Sequence, residues 1–474
     1  MKAASGGRRA RRRRWLAVLV AAVSTLSCST VMPGDSPPSS TPMQIGSTAR
    51  VGAHAAADPD AAPDVGWPPT FPRTATYYLS QDQLPPVGDL ARYDLVVIDH
   101  EWAHRVPRTY FDELEAVNPR MRLLAYVNVV DYPGGLGSPQ YWAGRYDLWQ
   151  FSDSQTSSFP QEWLATTASG TTVSEWPGTT MVNFTDEGPR VGGASYAEYA
   201  AEWVVDRVWS AGIWDGILLD VWGDRIYSAD SDRWDIDRDG VDETDSQIYG
   251  PGSPWARGVA QAEALIRAQL PRDAILVANG DRTLEGDALD GRAWESFADP
   301  YAERDPRVDL GRYLAATSGP GHRDPGVWLT INRKRLGPST EEHRRRARFF
   351  ATATLLGDGF WAPMGLDYGT TGYYDELAGD SGRGYLGRPL PEASLSGNPT
   401  PGADGRPAEP GVYRRDFDHG IVLVNAGETT ERIALERPYR KLQGVQDPIT
   451  NNGEVVEEVE LAPFDGIVLV HPGS

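Results

Sequence analysis

Two carboxyl-bearing residues stand where short apolar runs break off. In Trp214-Asp-Gly-Ile-Leu-Leu-Asp220 the run Gly216 to Leu219 is apolar at every position and too short for a helix. That is the pattern of a strand buried on both faces of a parallel sheet, with Asp220 at its carboxyl end. Glu295 interrupts a second such run, Ala293 to Phe297. In open α/β sheets and in barrels alike, ligands bind and chemistry occurs at that end of the strands. Two carboxyl groups facing each other there suit cleavage of a glycosidic bond. One protonates the leaving oxygen, while the other attacks the anomeric carbon or steers water to it. Each has a plainer alternative: Asp220 could hold a strand end by hydrogen bonds, and Glu295 could pair with nearby Arg292.

Other polar residues follow the remaining candidate strands: Asp99, His100 and Glu101; Asn128 and Asp131; Asp224; Asn279 and Asp281; Asn332; and Asp367. Trp102, Trp222, Trp328, Trp361 and Tyr368 lie among them. A sugar needs paired polar partners for its hydroxyls and aromatic faces for its C–H surfaces. Asp99, Glu101, Asn128, Trp222, Asn279, Trp328, Asn332, Trp361 and Asp367 are therefore the expected substrate-binding set. Asp99-His100-Glu101 also competes as a triad or metal group, as in a phosphodiesterase barrel, but it lacks the His-x-x-His type of spacing.

A separate acidic loop, Asp235-Ile-Asp237-Arg-Asp239-Gly240-Val241-Asp-Glu243, follows the Asp220 strand. D-x-D-x-D-G places three side-chain oxygens around one turn, as in calcium loops of the EF-hand type. Asp235, Asp237, Asp239, the Val241 carbonyl and Glu243 are the expected ligands of a structural Ca2+. Ser246 stands where such loops carry their last Glu, so Glu243 or Asp245 must complete the shell.

These residues need a scaffold that gathers them. Eight short runs alternate with amphipathic segments: Thr76 to Leu79, Leu95 to Ile98, Leu123 to Asn128, Gly216 to Asp220, Ile275 to Asn279, Ala293 to Phe297, Val327 to Asn332 and Gly359 to Ala362. Eight is the number a (β/α)8 TIM barrel requires. Met181 to Phe184 is a ninth strand or part of a long insertion. Ser195-Tyr-Ala-Glu198 and Ser339 to Glu342 read as capping boxes, and Ser253-Pro254 as a helix start. Arg344 to Arg346 reads as a solvated helix face. The barrel is expected over residues 71–390, a linker over 391–410, and a small antiparallel β domain of five short strands over 411–474.

Residues 1–28 read as an export signal: seven cationic residues, then an apolar core too short to span a membrane. Thr25-Leu-Ser-Cys28 resembles a bacterial lipoprotein cleavage site, with Thr25 where such sites usually carry Leu, and this would make a lipidated Cys28 the one route to a membrane. Residues 29–70 form a Pro, Ala and Ser rich tether. Cys28 is the only cysteine, so the fold has no disulfide. Losing the seven cations takes the net charge from −21 to −28, which excludes nucleic acid as a partner.

Several of these stretches together resemble a known group. They are the Asp220 motif, the acidic loop after it, Gly291-Arg-Ala-Trp-Glu-Ser-Phe297, Tyr373-Tyr-Asp-Glu376 with Leu386-Gly-Arg-Pro389, and Tyr413-Arg-Arg-Asp-Phe417 before Leu423-Val-Asn425. In this order they resemble the hypothetical glycosyl hydrolase family 15, similar in design to endo-α-1,4-polygalactosaminidases. The resemblance spans roughly residues 74 to 470. It implies a (β/α)8 barrel with a C-terminal β domain, a nucleophile after strand four and an acid/base after strand six, that is, Asp220 and Glu295. The expected activity is hydrolysis of a polysaccharide; the alternative is a non-catalytic polysaccharide-binding protein on the same scaffold. Tyr373 to Glu376 is either a substrate-side loop or a brace to the β domain.

Overall fold

The eight apolar runs form eight parallel strands: β1 (Arg73–Tyr78), β2 (Leu95–Asp99), β3 (Arg122–Val127), β4 (Gly216–Leu219), β5 (Ile275–Asn279), β6 (Gly291–Glu295), β7 (Val327–Asn332) and β8 (Phe360–Pro363). Each pairs with its sequence neighbours, and β1 pairs with β8 to close the barrel. This computed structural model describes residues 67–80, 82–132, 148, 159–284, 286–300, 305–332, 340–363, 372–390 and 412–473. The export segment with Cys28, the tether as far as residue 66, the linker, Ser339, Asp367 and Tyr368 lie outside the described residues.

The strands are apolar throughout because both of their faces are covered. Leu95, Val97, Leu124, Leu218, Val277, Ala293, Leu329 and Phe360 pack together inside the barrel. The alternating residues Val96, Ile98, Ala125, Ile217, Leu219, Ala278 and Trp328 face outward into the layer shared with the helices. That outer layer includes α1 (Arg108–Val117), α2 (Tyr196–Trp203), α3 (Pro254–Gln269), α4 (Pro306–Ser318) and α5 (Glu341–Leu355). The Ser195 capping box closes as read: the side chain accepts from Glu198 N–H, and the Glu198 carboxylate accepts from Ser195 N–H. Ser253 likewise caps α3 ahead of Pro254.

Two expectations are corrected here. Helix α5 is capped by Thr340, whose hydroxyl accepts from His343 N–H. Its arginines are not all solvated: Arg346 is buried and pairs with Asp299 at 2.6 Å. A buried guanidinium needs such a partner to repay its desolvation. The ninth-strand reading resolves toward the insertion, because Thr180–Met181 pairs with Asp131–Tyr132 in a two-residue ladder outside the barrel.

The C-terminal residues form a five-stranded antiparallel sheet from β9 (Val412–Phe417), β10 (Gly420–Asn425), β11 (Glu431–Lys441), β12 (Val455–Leu461) and β13 (Asp465–Val470), in the order β9-β10-β13-β11-β12. Buried Arg348 of α5 anchors it through Asp465 at 3.0 Å and through Asp447. The Tyr373 to Glu376 segment is a brace: Asp375 accepts from the backbone N–H groups of Val445, Gln446 and Asp447, and Glu376 accepts from Asn451.

Candidate active site

Strand parity decides which side chains reach the barrel mouth. Counting outward from the interior residues Leu124, Leu218, Val277 and Ala293 in steps of two, the next inward positions are Tyr126, Asp220, Asn279 and Glu295. These four come from consecutive strands β3 to β6, so closure brings them together. Tyr126 O–H donates to Asp220 Oδ2. Asn279 Nδ2 donates to Asp220 Oδ1 at 2.7 Å and reaches Glu295 Oε2 at 3.4 Å. Asp220, Asn279 and Glu295 line a cleft of about 530 Å³, a size typical of ligand sites.

The chain turns sharply right after each carboxyl. Val221 and Ser296 both take left-handed backbone, with φ of 55° and 56°. For a β-branched residue such as Val221 this is strained, at about 1–3 kcal/mol, and such strain clusters at functional sites. The loops beyond β4 and β5 then run side by side, with Trp222 N–H donating to Asn279 O and Asp224 N–H to Asp281 O. A Cβ on Gly280 would lie 2.7 Å from Gly223 N, so glycine permits this approach.

Beneath these loops lies a buried charge network. Arg282 donates to both oxygens of Glu263 on α3, at 2.9 and 3.0 Å, and also pairs with Asp224. Trp222 Nε1–H donates to the same Glu263 at 2.9 Å. Asp224 Oδ2 accepts from Thr283 N–H at 3.0 Å.

Burial first, and then the neighbouring Glu295 carboxylate, push the Asp220 carboxyl up to about 6 from its ordinary 3.8. The native protein therefore holds this proton more tightly than the unfolded chain does. Its stability contribution is fully present below pH 4 and is lost as pH rises through about 6. Asp220→Asn removes that loss. The variant's midpoint of thermal unfolding, relative to wild type, should rise between pH 4 and pH 6 and then level off; a difference flat across that window would contradict this environment.

A third carboxyl, absent from the sequence-based set, lines the same cleft. Glu175 comes from the insertion between β3 and β4. Its carboxyl takes a hydrogen bond from Ser228 Oγ at 2.5 Å and lies against Asp131. Burial, with Asp131 adding to it, pushes Glu175 up to about 8, so it carries a proton at neutral pH. Buried Asp131 accepts from Thr179 Oγ1 at 2.9 Å and Asn128 Nδ2 at 3.1 Å.

The expected substrate-binding set divides. Asn279 joins the carboxyl pair, and Asn128 supports the Asp131–Glu175 pair from below. Trp222, Trp328 and Trp361 are corrected: at 1, 2 and 3 % exposure they are core side chains without a free face for sugar. Trp328, Trp361 and Asn332 sit at outward parity; Asn332 donates to Phe297 O and accepts from Trp361 Nε1–H. Asp99 and Glu101 are buried too, with Asp99 Oδ1 accepting from Glu101 N–H at 3.0 Å. Arg292 donates to Asp281 at 3.4 Å and to Arg282 O at 3.2 Å.

Among the described residues, the group of carboxylates close enough to share one metal ion is Asp235, Asp237 and Asp239, whose oxygens lie within 4.8 Å of one another. Arg238 and Gly240 take left-handed backbone to make that turn. Glu243 Oε2 accepts from Ile236 N–H at 2.9 Å, while Asp245 is committed to Arg225.

A closed (β/α)8 barrel with two carboxyls bridged by one amide at its mouth is the build of a glycoside hydrolase. The chain belongs to the hypothetical glycosyl hydrolase family 15, whose model matches residues 115–421. It is a glycoside hydrolase, and its substrate is a carbohydrate. Among solved structures it is similar to the glycoside hydrolase domain of PelA from Pseudomonas aeruginosa, at 16 % identity over 62 % of this chain and 96 % of that one, with a TM-score of 0.36. It is also similar to the isomaltulose synthase SmuA from Protaminobacter rubrum, at 12 % identity over 84 % and 98 %, TM-score 0.42. A GH31 α-xylosidase from a soil metagenome matches at 14 % identity over 87 % and 64 %, TM-score 0.42. No curated protein matches the sequence.

Proposed function

We propose that this enzyme is exported and cleaves glycosidic bonds of a polysaccharide, with Asp220 as nucleophile and Glu295 as acid and base. The observation that carries the reading is the shared amide. Because Asn279 Nδ2 lies 2.7 Å from one carboxyl and 3.4 Å from the other, those two oxygens are at most about 6 Å apart. Retaining enzymes hold their pair about 5–5.5 Å apart, and inverting ones about 6.5–9.5 Å, to leave room for water.

Asp220 accepts two hydrogen bonds, from Tyr126 and Asn279, and these aim its carboxylate. It attacks the anomeric carbon as Glu295 protonates the leaving oxygen. Glu295 then takes a proton from the water that frees the sugar. Proton NMR of a hydrolysed polysaccharide should show the substrate's own anomeric configuration in the first-formed product. Initial release of the opposite anomer would overturn the retaining pair. The N-terminal signal supports an extracellular or cell-envelope location, with lipidated Cys28 as the anchor.

The acidic loop belongs to the same proposal, as a structural calcium site. Calcium binds oxygens at about 2.3–2.6 Å, so carboxylates sharing one ion lie within roughly 5 Å of each other. The spacing of Asp235, Asp237 and Asp239 meets that limit. Val241 O and Glu243 would complete the set. Calcium at a hundred times its dissociation constant should add about 2.7 kcal/mol to stability, read as a higher unfolding midpoint than in chelator. Asp237→Asn should reduce the shift, and equal midpoints with calcium and with chelator would remove calcium from the account.

A further inference from the structure

Trp222, Trp328 and Trp361 offer the cleft no free aromatic face, yet two large rings are exposed on the segments that border it. Trp176 is 61 % exposed and Tyr227 is 65 % exposed. Tyr227 lines the cleft itself, and Trp176 follows Glu175, which lines it too. The two segments that carry them are tied together three times. Ser174 N–H donates to Asp230 Oδ1 at 2.8 Å, Asp230 N–H donates back to Ser174 O at 2.8 Å, and Ser228 Oγ donates to Glu175. Trp176 and Tyr227 are thus each one residue from the Glu175–Ser228 hydrogen bond.

Trp176 is held at its backbone and Tyr227 at its hydroxyl. The Trp176 carbonyl accepts from Ser174 Oγ at 2.6 Å and Thr179 Oγ1 at 2.8 Å, which fixes the turn that carries the indole. Tyr227 O–H donates to Asp281 Oδ2 at 3.1 Å, and the Arg225 guanidinium sits 5.4 Å from its ring centre. A large ring that is anchored and still exposed loses little freedom on meeting a ligand, the property that enriches Tyr and Trp at binding surfaces. The cleft is acidic and polar, with Asp220, Glu295, Asp281 and Glu175 in its wall. A ligand leaving it therefore needs hydroxyls for the wall and a C–H face for the rings, and a sugar chain has both.

We propose that Trp176 and Tyr227 form a sugar-binding platform that continues the catalytic cleft over its rim, gripping polysaccharide residues beyond the bond being cut. The proposal rests on the glycoside hydrolase reading of the cleft and names where the chain leaves it. Glu175 is the positioning residue, since its bond to Ser228 clasps the insertion to the loop after β4. The platform takes over the role that Trp222, Trp328 and Trp361 cannot fill.

The test is affinity electrophoresis of the full chain in gels cast with soluble cell-wall polysaccharides and exopolysaccharides, amino-sugar polymers included, alongside a hydrolysis assay on the same panel. The wild type should be retarded by the polymer it hydrolyses. Trp176→Ala and Tyr227→Ala should each weaken that retention roughly tenfold, about what the loss of one aromatic contact costs. Trp176→Phe and Tyr227→Phe keep a ring and should recover most of it. Both positions are exposed, and unchanged unfolding midpoints would establish that the variants fold. Retention equal to wild type in both alanine variants, with hydrolysis intact, would overturn the platform and leave the hydrolase reading standing. A wild type that hydrolyses a polymer without being retarded by it would also overturn the platform. Neither hydrolysis nor retention on any polymer would sink both readings.

Discussion

Asp220→Asn is expected to lower kcat/KM on the hydrolysed polysaccharide by at least about 10³-fold while leaving the fold intact, as removal of a covalent nucleophile does elsewhere. The amide occupies the same space and can keep the local bonds. Its oxygen can accept from Asn279, and its nitrogen can donate to the Tyr126 hydroxyl, which accepts as readily as it donates. What is lost is the electron pair that attacks the anomeric carbon. In the wild type, kcat/KM should fall on the acid side of pH 6, because burial and Glu295 raise Asp220 to about 6 and only the charged form attacks. Full activity in Asp220→Asn would refute the assignment. A loss accompanied by unfolding would be separated from it by the unfolding midpoint, which should be no lower than wild type above pH 6.

The largest effect on stability should come from Arg282→Ala, at about 3–5 kcal/mol. Arg282, Glu263 and Asp224 are all buried, at 7, 3 and 4 % exposure. Removing the one cation leaves two carboxylates inside the protein without their counter-charge, which costs more than the intact network contributes. The loss should be read by urea unfolding, as a lower midpoint with an unchanged slope. Activity should fall with it, since Arg282 ties the loop after β5 to α3 and to Asp224 in the loop after β4, next to Asp220 and Asn279. A destabilisation under about 1 kcal/mol, the size of a surface pair, would contradict this account.

The barrel was readable because its cause is local. A strand buried on both faces must be a short continuous apolar run, so the runs that became β4, β5 and β7 could be bounded to within a residue. Asp220 was readable for the same reason, since a carboxyl has no place inside such a run except at its end; Glu295 reads from the sequence as interrupting the run Ala293 to Phe297, whereas the strand is Gly291–Glu295 and Glu295 ends it. Strand parity was also present in the sequence: it puts Tyr126 inward, and Trp328, Trp361 and Asn332 outward under the helices.

Glu175 had no such signal. It lies in an insertion without apolar period, and it lines the cleft where Ser174 bonds to Asp230 and Glu175 to Ser228, contacts that span more than fifty residues. The sequence by itself determined the eight strands, the two carboxyls at their ends and the spacing of the acidic loop, since periodicity and local turn chemistry encode all three. Only the tertiary structure decided which polar side chains share the mouth, which tryptophans are core, and that Glu175 keeps its proton, because burial and a distant partner set a side chain's exposure and charge.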